Sequence, residues 1–295
     1  MNVTRTEMRK AAVAPSKKAH DRIGVMAGLK AGQPSLASVS AFGLRVCQLT
    51  AWNQADLTEE AADAIREESR RTGVRIAALW AGWPGPAAWN LTEGPLTLGL
   101  VPTAYRAMRV EALHKAARFA ARAGLPAVIT HLGFIPEEPS NQLFHETVAA
   151  VRALAQQMEP LGLQFWFETG QETPVTMLRL IQSVGTENLG INLDPANLIL
   201  YGKANPIDAL DVFGQYVRNV HAKDACYPTD PMKLGREMKV GEGRVRFPEL
   251  VNRLRQIGFA GEYIIEREIT GEQQARDIRE TVTYLEGLLS SGDAH

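Results

Sequence analysis

The sequence predicts an α/β fold, a single (β/α)8 TIM barrel, and three observations predict it. Eight short apolar or mixed runs alternate with helical patterns along the 295 residues. Such alternation implies a parallel sheet, and eight units imply closure into a barrel. Connections from helix to strand are short, whereas two connections after strands, 82–103 and 223–247, are long. In a barrel both lie on the C-terminal face, where active sites are built, and loops this long are uncommon unless functional or disordered. The third observation is that four consecutive runs end on a group able to hold a metal or move a proton: Glu168, Asp194, His221 and Glu266.

In order, the strand candidates are residues 22–27, 44–50, 74–81, 127–131, 163–168, 189–194, 217–221 and 262–266. Five helical segments stop at a glycine shortly before the next strand, at Gly73, Gly124, Gly162, Gly185 and Gly258. Glycine tolerates the left-handed conformation that ends a helix. Three helices open with proline in the first turn: Pro174 after Thr173, Pro206 after Asn205, and Pro248. Thr173 and Asn205 suit the N-cap, and the missing proline N–H costs nothing there. The first βα unit, with Gly28, Gly32 and Pro34, carries the weakest pattern.

One barrel suits this length. The chain is 45% apolar and 22% charged, ordinary for a soluble domain, and its net charge of −1 gives no field favouring nucleic acid or an acidic membrane. Cys47 and Cys226 cannot build a disulfide framework, which fits a reducing cytoplasm. No apolar run approaches the roughly 18 residues a membrane span needs. Residues 1–20 stand apart, with Arg5, Arg9, Lys10, Lys17 and Lys18 and no strand pattern. They read as a basic, flexible or loosely docked tail ahead of a barrel over 21–290.

Side chains two apart along a strand share a face. If Glu168 points inward, so do Trp166 and Gln164, with Asn192 below Asp194, Asn219 below His221 and Ile264 below Glu266. Polar groups beneath the ligands can orient them. Three carboxylates facing one another without a cation would repel strongly, and buried without partners they are costly. Glu168, Asp194, His221 and Glu266 therefore read as a divalent-metal site. The oxygen-rich set suits Mn²⁺ best, with Mg²⁺, Co²⁺ or Zn²⁺ as alternatives. Four protein ligands on a six-coordinate ion leave two positions for a substrate carbonyl and its neighbouring hydroxyl.

Other residues near the same rim are substrate-contact candidates. His131 ends the fourth run and reads as a donor to a substrate oxygen or a further ligand. Glu172 and Gln171 follow Glu168. Trp83 can wall a sugar pocket, because an apolar ring face suits the C–H side of a sugar. Lys223 can reach a substrate carboxylate or phosphate. Arg236 and Lys239 read as solvent-facing, and Cys226 as a bystander.

The runs FETGQET (167–173), NLDPANL (192–198), VHAKD (220–224) and IIEREITGEQQ (264–274), with VGEGRVRFPEL (240–250), resemble the xylose-isomerase-like TIM-barrel superfamily. The resemblance covers roughly residues 20–288 and is specific for the superfamily and its metal site, not for a substrate. Its members include sugar-phosphate isomerases and epimerases, ketose 3-epimerases, hydroxypyruvate isomerase, inosose dehydratase and endonuclease IV. It implies that Glu168, Asp194, His221 and Glu266 bind one Mn²⁺-type ion, and that Glu168 and Glu266 face each other across the substrate as acid and base. It also implies a homo-oligomer. The chain departs from the ketose 3-epimerase pattern at Asn197, where that pattern places a His, and at 224–226, where it places an Arg. Asn197 is accordingly a substrate contact of different chemistry, and a plain free-hexulose 3-epimerase is disfavoured.

The activity these residues imply is metal-dependent isomerisation or epimerisation of a small ketose, sugar phosphate or sugar derivative through an enediolate. A lyase or dehydratase acting on an inosose or 3-keto-sugar uses the same intermediate. A non-catalytic sugar-binding barrel is the remote alternative. A multi-metal DNA-repair enzyme is disfavoured by only six histidines and a net charge of −1.

Overall fold

The computed structural model describes residues 18–30 and 35–291. Among the described residues there are ten strands: β1 (Ile23–Gly28), β2 (Val46–Ala51), β3 (Arg75–Ala81), β4 (Ala127–Thr130), β5 (Gln164–Glu168), β6 (Leu189–Leu193), β7 (Val217–Ala222), β8 (Asp224–Cys226), β9 (Arg236–Met238) and β10 (Glu262–Ile265). All but β8 and β9 form one closed barrel, in the order β1-β10-β7-β6-β5-β4-β3-β2. Every pairing within it is parallel. The chain is thus a single (β/α)8 TIM barrel. Strand ends differ from the sequence expectation by a residue or two. His131, Asp194 and Glu266 fall just past their strands, at the start of the loops that follow.

The five helix-ending glycines all adopt left-handed φ values, between 69° and 77°. Pro174 and Pro206 open their helices as expected, and the Asn205 side chain accepts the Ile207 N–H at 2.9 Å. Thr173 behaves differently: its hydroxyl pairs with that of Thr176 at 2.9 Å and caps no backbone group. In the first βα unit the described helix is short, Ala37–Ala41. The expected tail, 1–20, lies outside the described residues up to residue 17. Beyond it, Ala19–Arg22 forms a 3-10 turn, and His20 Nδ1 contacts Glu286 Oε1 at 2.6 Å. Among the described residues no helix is long and apolar enough to cross a membrane.

The large apolar core lies between the sheet and the helices. A smaller cluster joins alternate residues of β3, β4 and β5: Ala78, Trp80, Ala127, Ile129 and Trp166. Gly190 on β6 leaves room for Trp166, since a Cβ there would lie 2.5 Å from Trp166 Cδ1. Gln48, Asn192 and Asn219 on β2, β6 and β7 are fully buried instead and bond to one another around Asn192. The barrel mouth is therefore underlain by apolar side chains on one side and by amides on the other.

Both long loops lie on the C-terminal rim and are held from within by one charged side chain each. The segment 82–103 contains one helical turn, Gly94–Thr97. Fully buried Arg109 donates to the carbonyls of Gly99 and Pro86, both at 2.7 Å, and of Pro84 at 3.3 Å. The segment 223–247 carries the antiparallel β8–β9 pair, which the sequence reading took as loop. Asp224 accepts N–H groups of Ala225 (2.8 Å) and of Gly241, Gly243 and Val245 (3.0 Å each).

Candidate metal centre

Adjacent strands bring Glu168, Asp194, His221 and Glu266 together, so that one ligand atom from each lies within 4.8 Å of the others. His221 Nδ1 is 3.0 Å from Glu266 Oε2, 3.4 Å from Glu168 Oε1 and 3.6 Å from Asp194 Oδ2. Three of these converging atoms, Asp194 Oδ2, His221 Nδ1 and Glu266 Oε2, are buried and make no hydrogen bond. Buried polar atoms are normally paired. Three orphans aimed at one point, in an oxygen-rich donor set, fit a divalent cation of the Mn²⁺ or Mg²⁺ class.

The other atom of Glu168, Asp194 and His221 is already occupied, which fixes the orientation of these three. His221 Nε2 lies 2.7 Å from Gln48 Oε1 and 3.0 Å from Asn192 Nδ2. Gln48 Oε1 accepts only and makes the shorter contact, which favours a proton on Nε2 and turns Nδ1 to the cluster; Asn192 Nδ2, itself a donor, then makes no hydrogen bond to the ring. Asp194 Oδ1 accepts the Asn197 N–H at 2.8 Å, as the N-cap of the helix Pro195–Leu200, which leaves Oδ2 inward. Glu168 Oε2 accepts the Trp80 indole N–H, while Oε1 takes Asn197 Nδ2 at 3.2 Å and lies 3.3 Å from His131 Nε2. Glu266 is the looser carboxylate: its side chain is 19% exposed, against 3% for Glu168.

Charge in the cluster follows from these contacts. Burial opposes ionisation of Glu168, but the His131 and His221 imidazoles outweigh it and hold the carboxyl well below the usual range. Burial likewise opposes Glu266, yet Lys223 and His221 bring it down to about 2. Burial pushes Asp194 up, against the pull of Lys223. For His221 burial favours the neutral ring, but Glu168 and Glu266 outweigh it and raise the pKa well above its ordinary value. A cation among these groups would take the place of that proton.

The remaining sequence candidates divide. Asn197 and His131 line a cavity of about 640 Å³ at the mouth, together with Glu266. Asn197 bridges Glu168 and Asp194, and His131 Nδ1 is an orphan. Lys223 is 2% exposed and tied to protein carboxylates: Glu268 at 2.7 Å, Glu266 at 3.5 Å and Asp194 at 3.7 Å. Glu172 is buried in the loop after β5. Its Oε1 accepts the Gly170 N–H at 3.3 Å, its Oε2 has no partner, and burial pushes its pKa up to about 7. Trp83 does not line the cavity: it is 4% exposed and packs behind Trp80 and Trp89, beneath the Arg109 guanidinium. The wall is made by Trp52, Trp80 and Trp89.

Gln48 and Trp80 escaped the sequence reading. Both sit inside strand runs, where a side chain facing the site looks like one facing the core. A polar residue between apolar neighbours was the available signal for Gln48, in RVCQLT.

A family model described as "Xylose isomerase-like TIM barrel" matches residues 36–288. Among solved structures, a xylose isomerase domain protein from Planctomyces limnophilus is 34% identical, covers 91% of this chain and 97% of its own, and superposes with a TM-score of 0.86. A D-tagatose 3-epimerase-like protein is 19% identical over 92% of this chain and 100% of its own, TM-score 0.70. A barrel from Mycobacterium smegmatis, solved in complex with magnesium, is 17% identical over 93% and 99%, TM-score 0.68. The last two likenesses show the fold. An uncharacterized protein of Methanocaldococcus jannaschii is 26% identical over 174 residues, which is 55% of this chain, and the match spans 58% of that relative.

Proposed function

Because the chain belongs to the xylose isomerase-like TIM barrel family, we propose that it is a divalent-metal-dependent isomerase or epimerase of a small ketose, sugar phosphate or sugar derivative. The observation that carries this reading is the convergence of orphaned Asp194 Oδ2, His221 Nδ1 and Glu266 Oε2 beside Glu168. The names of the sugar-epimerase-like neighbour and of the magnesium complex agree with it. A divalent ion, Mn²⁺ in this proposal, would be held by Glu168, Asp194, His221 and Glu266, and when bound supplies Lewis-acid polarisation of a substrate carbonyl.

The chain's own groups do the rest. Glu168 and Glu266 are the proton-transfer pair: one, ionised, removes the proton from the carbon beside the carbonyl, giving an enediolate, and the other returns a proton that it has first taken up from solvent. Return to the opposite face of the same carbon gives the epimer, and return to the neighbouring carbon gives the aldose–ketose isomer. Trp80 and Asn197, both on the cavity wall, fix the Glu168 carboxylate, and Gln48 orients the His221 ring. Glu266 lines the cavity, which gives it direct access to substrate. Lys223 keeps Glu266 ionised. Both cysteines are free, in keeping with the cytoplasm as the proposed compartment.

The test is exchange of substrate C–H with solvent deuterium by Mn²⁺-loaded protein. Glu266→Gln abolishes it under this reading, and exchange at the wild-type rate would overturn the assignment. In a second reading the same enediolate loses a β-hydroxyl, with Glu172, buried in the loop after β5 with its Oε2 unpaired, as the candidate acid. A product lighter by one water identifies that outcome.

A further inference from the structure

The cavity is larger than the chemistry at its base requires. At about 640 Å³ it falls within the roughly 300–1,000 Å³ range of sites that enclose drug-sized ligands, and a single hexose fills only part of it. The volume beyond the metal ligands has a distinct character. Trp52 and Trp89 line it while 48% and 40% exposed, and their rings stand at 89° with centroids 6.3 Å apart. Two perpendicular rings make a corner that offers one face and one edge. The corner is preorganised. Trp52 lies on Gly82, where a Cβ would meet its ring at 2.4 Å, and Trp89 packs edge-on to His131 at 5.1 Å. Phe42, Leu234 and Ile278 add apolar surface.

Among the described residues the same lining offers no unpaired Lys or Arg to an anionic substrate, and its one imidazole, His131, is drawn to Glu168 at 3.3 Å. Arg267 is the one Lys or Arg among the described lining residues, and its guanidinium contacts Glu237 and Asp277 at 2.8 Å each. Lys223, just below, is held by Glu268, Glu266 and Asp194. Glu266 and Glu268 themselves line the wall, so a phosphate away from the metal ligands would meet two carboxylates and no unpaired Lys or Arg among the described residues.

We propose that the substrate is an uncharged sugar bearing a second ring. The reacting sugar sits on the metal ligands, and the second ring, glycosyl or aromatic, sits in the Trp52–Trp89 corner. The proposal rests on the reading of the site as a metal-dependent sugar enzyme and selects among the substrates that reading allows, excluding the sugar phosphate. Either kind of second ring presents an apolar face to indole, the C–H side of a pyranose or the π-face of an aromatic ring.

The experiment is calorimetric titration of the full-length Mn²⁺-loaded protein with four probes: methyl β-D-glucoside, cellobiose, 4-nitrophenyl β-D-glucoside and glucose 6-phosphate. At least one two-ring probe binds about tenfold more tightly than methyl glucoside, and glucose 6-phosphate binds most weakly. Cellobiose and the nitrophenyl glucoside distinguish a glycosyl from an aromatic second ring. Trp52→Ala and Trp89→Ala each remove most of the two-ring gain, with a smaller loss for methyl glucoside, and Trp52→Phe restores part of it. Equal affinity for one-ring and two-ring probes, no binding of either two-ring probe, or preference for the phosphate overturns the proposal. Deuterium exchange into a small ketose separates this failure from failure of the proposed function. Exchange without a two-ring preference sinks only the substrate inference. A two-ring preference in a protein that exchanges no C–H of a small ketose or of a two-ring keto-sugar sinks the catalytic reading and leaves the binding corner standing.

Discussion

The two halves of the barrel mouth are built on opposite physical terms. On one side, Glu168, Asp194, His221, Lys223 and Glu266 bury a dense cluster of ionisable groups over a floor of Gln48, Asn192 and Asn219. On the other, Trp52, Trp80, Trp83 and Trp89 pack ring against ring, with successive centroids 4.7–6.4 Å apart. The loops that frame them mirror each other. A buried carboxylate, Asp224, gathers backbone N–H groups on the charged side, and a buried guanidinium, Arg109, gathers backbone carbonyls on the aromatic side. The difference teaches that reactivity and shape are separated here. One half supplies charge with orphaned donor atoms, and the other supplies rigid surface. The Trp80 indole N–H to Glu168 is where they meet.

The largest effect expected from breaking this division falls on the charged half. Glu168→Gln and Glu266→Gln each lower turnover by about 10²–10⁴-fold, the usual contribution of a positioned acid or base. Equal small losses from both would erase the distinction between the halves. Loss of a loop anchor comes next. Asp224→Ala strands several buried N–H groups and Arg109→Met strands three carbonyls, so each lowers unfolding free energy by about 2–4 kcal/mol in a urea titration. Gly243→Ala acts like the first, because its Cβ would sit 2.1 Å from Asp224 Oδ1.

A similar magnitude attaches to Glu172, with a defined pH window. Its pKa is raised from 4.5 to about 7, with burial as the main cause. The folded chain therefore keeps a proton that the unfolded chain has released, and stability falls as pH rises from about 4.5 to about 7. The loss is about 3 kcal/mol, is complete above that window and is absent below it. Glu172→Gln in metal-free protein flattens the stability profile across this range. An unchanged slope would show that another group carries it. The smallest effect belongs to the floor: Gln48→Leu releases the His221 tautomer and weakens Mn²⁺ binding about 10–100-fold without touching the aromatic wall.

The halves also differ in how much of them the sequence disclosed. The barrel was readable because glycines at left-handed helix ends and prolines in first turns leave marks at fixed positions. The charged half was readable because carboxylates at successive strand ends have no reason to be there without a partner. The aromatic half was not. Trp52 and Trp80 sit at or next to strand ends, where a large apolar residue is as common in a core as on a cavity wall. Trp83, expected on the wall, lies behind it, because loop tryptophans are placed by packing with residues distant in sequence. Lys223 was expected to reach substrate, but three nearby carboxylates hold it. Their proximity is a tertiary fact. The Arg109 anchor was hidden for the same reason, since within the helix Thr103–Ala123 it resembles any surface arginine.

Metal-dependent proton transfer at the four strand-end residues is tested by the rate of solvent-deuterium exchange into a ketose, measured as Mn²⁺ is added back to chelator-treated protein. No exchange is expected without metal, followed by a linear rise that ends at one equivalent per chain. Exchange that persists after chelation, or protein that takes up no Mn²⁺, would contradict it.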